Sequence, residues 1–415
     1  MAFEQLDIPG ISVDLLGTLQ EAAQALGIQR LALVGGAVRD GLLHQVHRDP
    51  WRGLPDLDFV LEGRSAGLAV QLLDNLGEGR ISELRQHGTF GTVEFMLDGV
   101  RIDMAQSRKE HYPAPAENPR VEPGCLEDDL VRRDFTINAM ALVLNGADSA
   151  PELLDLHGGQ RDLAARQLNF LHSKSVRDDP TRVVRGARYA ARLDFSLASE
   201  AREQVRSTVE GWPWQWHPGD CLDSVPPGLG TRLRMELELL FAREPWRVAL
   251  ACLQEWGAMP LFDQQLQVDG QLIRRLHWAE RLNVPLLCAL AAASGTPECL
   301  ARRLQLPVQQ QRRIDRWSAM RTWMSEHVLN HPWQSWSAAE WSSRLEVEGW
   351  GADVVALEVA LMGPCWRPML RWWGRWRHVA SPLTARDLLD QGMTAGPELG
   401  RVLREARLQA LEGYR

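Results

Sequence analysis

The sequence predicts an α+β protein in which a small mixed sheet comes first and helices follow, and three observations carry that expectation. Strand patterns concentrate between residues 30 and 106, in RLALVGG, LDFVLEG, GTVEFML and VRIDMAQ. Beyond residue 230, segments such as TRLRMELELLF and PWRVALACLQEWGAM place apolar residues at three- and four-residue spacing, the helical period. Composition also shifts: of 17 tryptophans only Trp51 precedes Trp212.

RLALVGG reads as a buried strand that runs into the pair Gly35-Gly36, with AVRDGLL opening a helix. Backbone N–H groups at such a turn can cradle a phosphate with no Cβ in the way. Arg39 and Asp40, which follow, suit either an internal ion pair that orders the turn or contact with a ligand. In DLDFVLEG, Asp56 and Asp58 stand two apart and therefore project from the same face of a strand. Adjacent carboxylates repel and call for a cation, and an incomplete shell of hard oxygens suits Mg²⁺, which completes it with water and substrate phosphate. The alternative is a pair of solvated acids at a strand end. GTVEFML and VRIDMAQ flank Asp98-Gly99, a hairpin signal, so that Asp103 falls on a strand able to lie beside the Asp56/Asp58 strand.

DDPTRVVRGARYAARLDF reads as a helix with Asp179 as N-cap and Pro180 at the first helical position. Arg182 lies three residues after Asp179, on the same face. Besides capping, this pair can read a base edge: the carboxylate accepts from the amino group of C or A while the guanidinium donates, and U and G present the reverse pattern. Arg185, Arg188 and Arg192 extend the basic face. With only Asp194 close behind them, phosphate contact is favoured over a solvated, acid-balanced face.

The formal net charge of −8 confines any RNA-binding surface to a local patch. No apolar run approaches the ~20 residues that span a bilayer, and MAFEQLDIPG lacks a basic segment followed by an apolar one, so a soluble cytoplasmic protein is expected. The six cysteines show no CxxC spacing and read as reduced. GWPWQWHPGDCLDSVPPGLG, residues 211–230, reads as a long connection. Two C-terminal segments are candidates for RNA contact: PCWRPMLRWWGRWRHV, which also suits a buried helix, and the glycine-containing DLLDQGMTAGPELGRVLREAR.

VGGAVRDGLL, DLDFVLEG, HGTFGT, LEDDLVRRDFTINAMAL and DDPTRVVRGARYAARLDF, in that order, resemble the tRNA nucleotidyltransferase and bacterial poly(A) polymerase family of the class II CCA-adding type. The resemblance covers about residues 30 to 195. It implies a nucleotidyltransferase (polymerase-β-like) head over 1–145, a helical neck with the nucleotide-selecting motif over 146–245, and a helical, tRNA-binding body and tail over 246–415. It implies Mg²⁺ held by Asp56 and Asp58, with Asp103 completing the metal site or polarising the attacking hydroxyl. Gly35, Gly36, Arg39, Arg133, Asp134, Asn138, Asp179, Arg182, Arg185 and Arg188 are then nucleotide-binding. Within RRDFTINAM, Arg133 meets the triphosphate, Asp134 accepts from the ribose 2′-OH and Asn138 supports them. The same stretch also reads as a helix start capped by Asp134, with Phe135, Ile137, Met140 and Leu142 turned inward.

The activity implied is template-independent addition of C, A or both from CTP and ATP to the tRNA 3′ end. Poly(A) polymerase and a noncatalytic RNA-binding descendant are the alternatives; the acidic balance opposes the first and the retained carboxylates the second. No His-Asp dipeptide occurs, so no appended metal phosphohydrolase is expected. Family members that add all of CCA carry a flexible basic loop before RRD. Here SRKEHYPAPAENPRVEPGCLEDDLV keeps Tyr112 but holds four prolines. Proline stiffens a loop, which favours a specialist adding CC only.

Overall fold

The computed structural model describes residues 6, 8–77, 79–87, 92–144 and 151–414; most of HGTFGT, at residues 88–91, lies outside them. The chain divides into two compact units, residues 1–217 with 226–236 and 243–258, and residues 218–225 with 237–242 and 259–415.

In the first unit the strands are β1 (Leu31–Val34), β2 (Leu57–Leu61), β3 (Ile81–His87), β4 (Thr92–Leu97), β5 (Val100–Gln106), β6 (Arg108–His111), β7 (Arg120–Pro123), β8 (Met140–Leu144) and β9 (Glu152–Asp155), with a short parallel pair, Gln167–Leu168 and Ser196–Leu197, further on. Among the described residues, seven of them form one sheet in the order β3-β4-β5-β2-β1-β8-β9. β2 and β5 run parallel while their neighbours are antiparallel, so the sheet is mixed, as expected. β9 lies beyond residue 145, so the sheet runs on past the expected head boundary. The Asp98-Gly99 hairpin forms with φ of 50° and 80°, the two positive values that a type I′ turn requires.

Helices α1 (Val13–Ala25), α2 (Gly36–Gln45), α3 (Ser65–Leu76) and α4 (Leu126–Val131) accompany the sheet. α2 packs on β1, β2 and β8, and α3 on β3, β4 and β5. Leu126 and Leu130 of α4 cluster with Ala32, Val34, Val60, Ala141 and Val143. Those sheet residues share a face with Asp58, because Val34 is paired directly with Asp58 and Val60 lies two further along β2. α4 therefore covers only part of the face that carries the carboxylates.

RRDFTINAM departs from the expected helix start. A single 3₁₀ turn, Thr136–Asn138, leads directly into β8, which is buried throughout. The apolar run MALVL satisfies its backbone by pairing with β1 and β9 instead of coiling.

Six helices follow: α5 (Gly159–Ala164), α6 (Ser175–Asp178), α7 (Thr181–Leu193), α8 (Ser199–Gly211), α9 (Thr231–Arg243) and α10 (Trp246–Glu255). α7 packs against α10 and buries Val183, Val184, Ala187, Ala190 and Leu193. It starts one residue later than expected, with Pro180 at the cap position. Asp179, just outside, still accepts from Thr181 N (3.1 Å) and Thr181 Oγ1 (2.6 Å), so its side chain satisfies the helix start without being the cap residue.

The second unit is helical throughout its described residues. Of its tryptophans, Trp317, Trp341, Trp372 and Trp376 are buried in the core and the others are half-buried. In the Trp/Arg-rich helix Trp366–Gly374, Trp372 Nε1 donates to Glu346 (3.1 Å), while Arg371 and the following Arg375 remain exposed. Pro397 opens the last helix, Pro397–Glu412, after Gly396. All six cysteines are free. No described helix is long and apolar enough to cross a membrane.

Candidate active site

The parallel pairing of β2 with β5 sets Asp58 directly opposite Asp103, so the two carboxylates emerge from adjacent strands on one face. Asp56 precedes the strand and is exposed. Gly35 approaches this pair closely: its φ is 71°, and a Cβ there would lie 3.3 Å from Asp58 Oδ2 and 3.4 Å from Arg133 Nη1. Asp58 touches solvent through the open cavity yet is ringed by protein. Desolvation, opposed by Arg133 and reinforced by Asp103 and Asp56, pushes its pKa up to about 6. Burial also raises Asp103, with Arg101 opposing and Glu94 and Asp56 adding to the rise. Asp103 Oδ1 is buried without a hydrogen bond, since Arg101 Nε stands 3.7 Å away.

Adjacent hard oxygens, one of them without a hydrogen bond, fit a divalent cation. They do not form the three-carboxylate convergence expected from sequence. Among the described residues no three metal-ligating side chains are gathered, and a shell here needs phosphate or water oxygens to be complete.

Behind the floor, the RRD motif is held by a chain of bonds. Arg133 donates to Asp129 (2.9 Å), which Arg132 also contacts (2.7 Å). Asp134 Oδ1 accepts from Phe135 N (2.8 Å) and Asn138 Nδ2 (3.1 Å), and Arg185 Nη1 lies 3.4 Å from Oδ2. Burial would raise the Asp134 pKa, but Arg185, Asn138 and the Phe135 amide hold it below the ordinary carboxylate range. Arg39 is buried and supports from beneath, donating to Asn138 Oδ1 (2.8 Å) and to Asp40 (2.8 Å), with Tyr189 under its guanidinium at 5.4 Å. The internal ion pair is thus its role in this structure.

The basic face of α7 differs from expectation. Arg185 and Arg188 both bind Glu236, and Arg188 and Arg192 both bind Glu244. Glu236 and Glu244 lie some 50 residues along the chain, on and just after α9, so inspecting α7 and its neighbours could not reveal them. Arg188 is itself buried and committed to this network, which removes it and Arg192 as phosphate ligands; Arg185 alone still lines the cavity.

Arg182 is buried, donating to Arg132 O (2.7 Å) and lying 3.3 Å from His172 Nε2. Desolvation first and Arg182 second depress the His172 pKa, so the ring is neutral and can accept from the guanidinium. Asp179 Oδ2 is bound by Arg232 of α9. The ribbon β6–β7 and its connecting residues supply Glu110, Tyr112, Asn118 and Pro119 to the cavity wall.

These groups enclose a cavity of about 800 Å³ lined by Gly35, Gly36, Asp58, Asp103, Arg133, Asp134, Asn138, Asp179, Arg182 and Arg185 from the sequence expectation. Asp56, Arg39 and Arg188 are absent from the lining. Arg132, Tyr189 and Arg232 line it and were not anticipated. For Arg232 the available signal was Arg and Glu four apart in TRLRMELELLF, on what reads as a helix.

The Poly A polymerase head domain family matches residues 31–169. The chain is 39% identical over 288 residues to the CC-adding tRNA nucleotidyltransferase of Deinococcus radiodurans, covering 66% of this chain and 67% of that protein. It is 35% identical over 255 residues to the A-adding tRNA nucleotidyltransferase of Aquifex aeolicus, covering 60% of this chain and 27% of that one. In fold it matches a CCA-adding enzyme in apo form (TM-score 0.71, 24% identity, 98% of this chain and 94% of the other). It also matches the Thermotoga maritima CCA-adding enzyme solved with tRNA (TM-score 0.66, 23% identity, 99% and 93%). Nucleotidyltransferases of this kind use divalent metal ions. With the head-domain match spanning the sheet and its carboxylates, and the Deinococcus match covering two thirds of that relative, this chain belongs to the tRNA nucleotidyltransferase family.

Proposed function

We infer that this chain extends the tRNA 3′ end without a template, adding C, A or both from CTP and ATP, and that it acts in the cytoplasm. The observation that carries this reading is a single cavity with the Asp58/Asp103 pair on its floor, Asp103 Oδ1 without a hydrogen bond, and the Asp179/Arg182 pair on its side. In the proposed reaction the tRNA 3′-OH attacks the α-phosphorus, the bond to the β-phosphate oxygen breaks and pyrophosphate leaves. Mg²⁺ held by Asp56 and Asp58 would neutralise charge on the attacking and leaving oxygens. Asp103, whose Oδ1 makes no hydrogen bond and whose pKa is raised by burial, would take the hydroxyl proton. Arg133 and the amides of the Gly35-Gly36 turn bind the triphosphate, with Arg185 beside them. Asp134, oriented by Asn138 and Arg39, accepts from the ribose 2′-OH. Asp179 accepts from the exocyclic amine of C or A while Arg182, held by His172 and Arg132 O, donates to the ring.

CC addition is the favoured specialisation. It is supported by the proline-rich connection, whose Ala116 is wholly buried and hydrogen-bonded through both its N–H and its carbonyl, and by the likeness to the Deinococcus protein. Purified protein is incubated with labelled CTP or ATP and with tRNAs ending before CCA, after C or after CC. CMP incorporation into the first two substrates, with little AMP on the third, is the expected result. Full CCA addition removes the CC specialisation, and long A tracts on any RNA would make the chain a poly(A) polymerase.

A further inference from the structure

The Trp/Pro/Gly segment at 211–230 has no part in the reaction above, yet it and the start of α9 hold the residues next to the base-selecting pair. Three consecutive residues, Arg177, Asp178 and Asp179, are each fixed from outside their own element. Trp214, 1% exposed, donates through Nε1 to Arg177 O (3.0 Å), and Trp212 packs edge-on against it at 4.9 Å. Ala116 N donates to Asp178 O (3.1 Å). Arg232 binds Asp179 Oδ2, and with Thr181 on Oδ1 both carboxylate oxygens are restrained.

The Tyr112–Pro119 part of the cavity wall is tied to the same segment. Ala116 sits in the connection that carries Tyr112, Asn118 and Pro119; it is wholly buried, with a φ of 65° that a non-glycine residue rarely adopts. Its carbonyl accepts from Gly228 N (2.8 Å) while its own N–H is spent on Asp178. Nothing larger than glycine fits at 228, where a Cβ would lie 2.7 Å from Ala116 O and 3.0 Å from Ala116 Cβ.

We propose that residues 212–217 and 226–232 act as a brace that locks the base-selecting Asp179 and the Tyr112–Pro119 wall into one fixed spacing, making Trp214 and Gly228 positioning residues for nucleotide choice. Side-chain selection of a base depends on the distance between the reading groups and the wall against which the base rests. A wall joined to Asp178 and Gly228 through backbone groups cannot retreat to admit a purine without breaking those bonds. The proposal rests on the reading that Asp179 selects the base.

The test uses the full-length protein, the tRNA substrates above and competing CTP and ATP. Gly228→Ala keeps an accessible backbone conformation and forces Ala116 to move. Trp214→Phe keeps an aromatic side chain while removing the donor to Arg177 O and part of the buried ring. Each is expected to raise AMP relative to CMP incorporation on the order of tenfold, with turnover on CTP within a fewfold of the parent. Circular dichroism and thermal melts identify variants that fold, and Trp214→Phe serves if Gly228→Ala does not. A folded variant with a lowered melting temperature and an unchanged AMP/CMP ratio overturns the brace. Asp179→Ala, run in parallel, separates the two ideas. If it changes the ratio and the brace variants do not, only the brace fails; if Asp179→Ala leaves the ratio unchanged, the base-selecting reading fails with it.

Discussion

On the cavity floor Asp58 and Asp103 stand side by side, Asp103 Oδ1 without a hydrogen bond and only loosely paired with Arg101 at 3.7 Å, whereas along α7 each of Arg185, Arg188 and Arg192 is matched closely by Glu236 or Glu244. Both regions looked equally functional as patterns of charge. A group left with an orphaned oxygen and a pKa pushed up by desolvation keeps free energy available for a ligand. A buried arginine with two glutamates has already used its donors on the fold. The contrast separates the group that reacts from the one that holds the wall in place, and it can be broken by substitution.

Asp58→Asn should lower transfer on the order of a thousandfold while tRNA affinity stays near parental, because phosphate contacts supply the binding. Its thermal stability should hold or rise, since the change removes a desolvated charge from beside Asp103 and Asp56. A destabilised but active variant would place Asp58 with the structural charges. Arg188→Ala should do the opposite. Glu236 would keep only Arg185 and Glu244 only Arg192, which should cost about 1–3 kcal/mol in urea unfolding, with KM for CTP little changed at a permissive temperature. A raised KM with normal stability would return Arg188 to phosphate binding.

Asp179→Ala should relax nucleotide choice by about tenfold with less effect on the overall rate, read from CMP and AMP incorporation in competition. Arg182→Ala should weaken use of both nucleotides together.

His172 gives a smaller, pH-dependent effect. Its folded pKa is depressed by burial and by Arg182, so between that value and about 6.5 the unfolded chain binds more protons than the native one. Stability should therefore fall as pH drops below about 6.5, and His172→Gln, which keeps an acceptor for Arg182, should flatten that dependence in denaturant titrations. An identical slope in the variant would dissociate His172 from the effect. The smallest change is expected at the exposed Arg371 and Arg375: alanine at either should weaken tRNA binding a fewfold and reduce the salt slope by about one, measured by filter binding across ionic strength.

Much of the head could be read from local pattern. Strict alternation fixed GTVEFML and VRIDMAQ as strands, Asp98-Gly99 fixed their turn, and the glycine pair marked the start of α2. Gly35, Asp58, Asp103, Arg133, Asp179 and Arg182 were legible because each sits in a motif whose chemistry is confined to a few neighbouring residues. The run after RRDFTIN was misread as helix because a short apolar stretch carries no period of its own; its place between β1 and β9 decided for strand.

By itself the sequence determined the α+β class, the carboxylates on β2 and β5, and the pairing of Asp179 with Arg182 at one helix start, since these follow from side-chain chemistry and spacing within one element. Tertiary structure alone decided that Glu236 and Glu244 neutralise α7, that Arg232 reaches Asp179, and that Ala116 is held between Asp178 and Gly228. Each of these joins positions roughly 50 to 110 residues apart. Charge pairing and backbone bonding act over a few ångströms, and which distant residues come that close is fixed only when the elements pack.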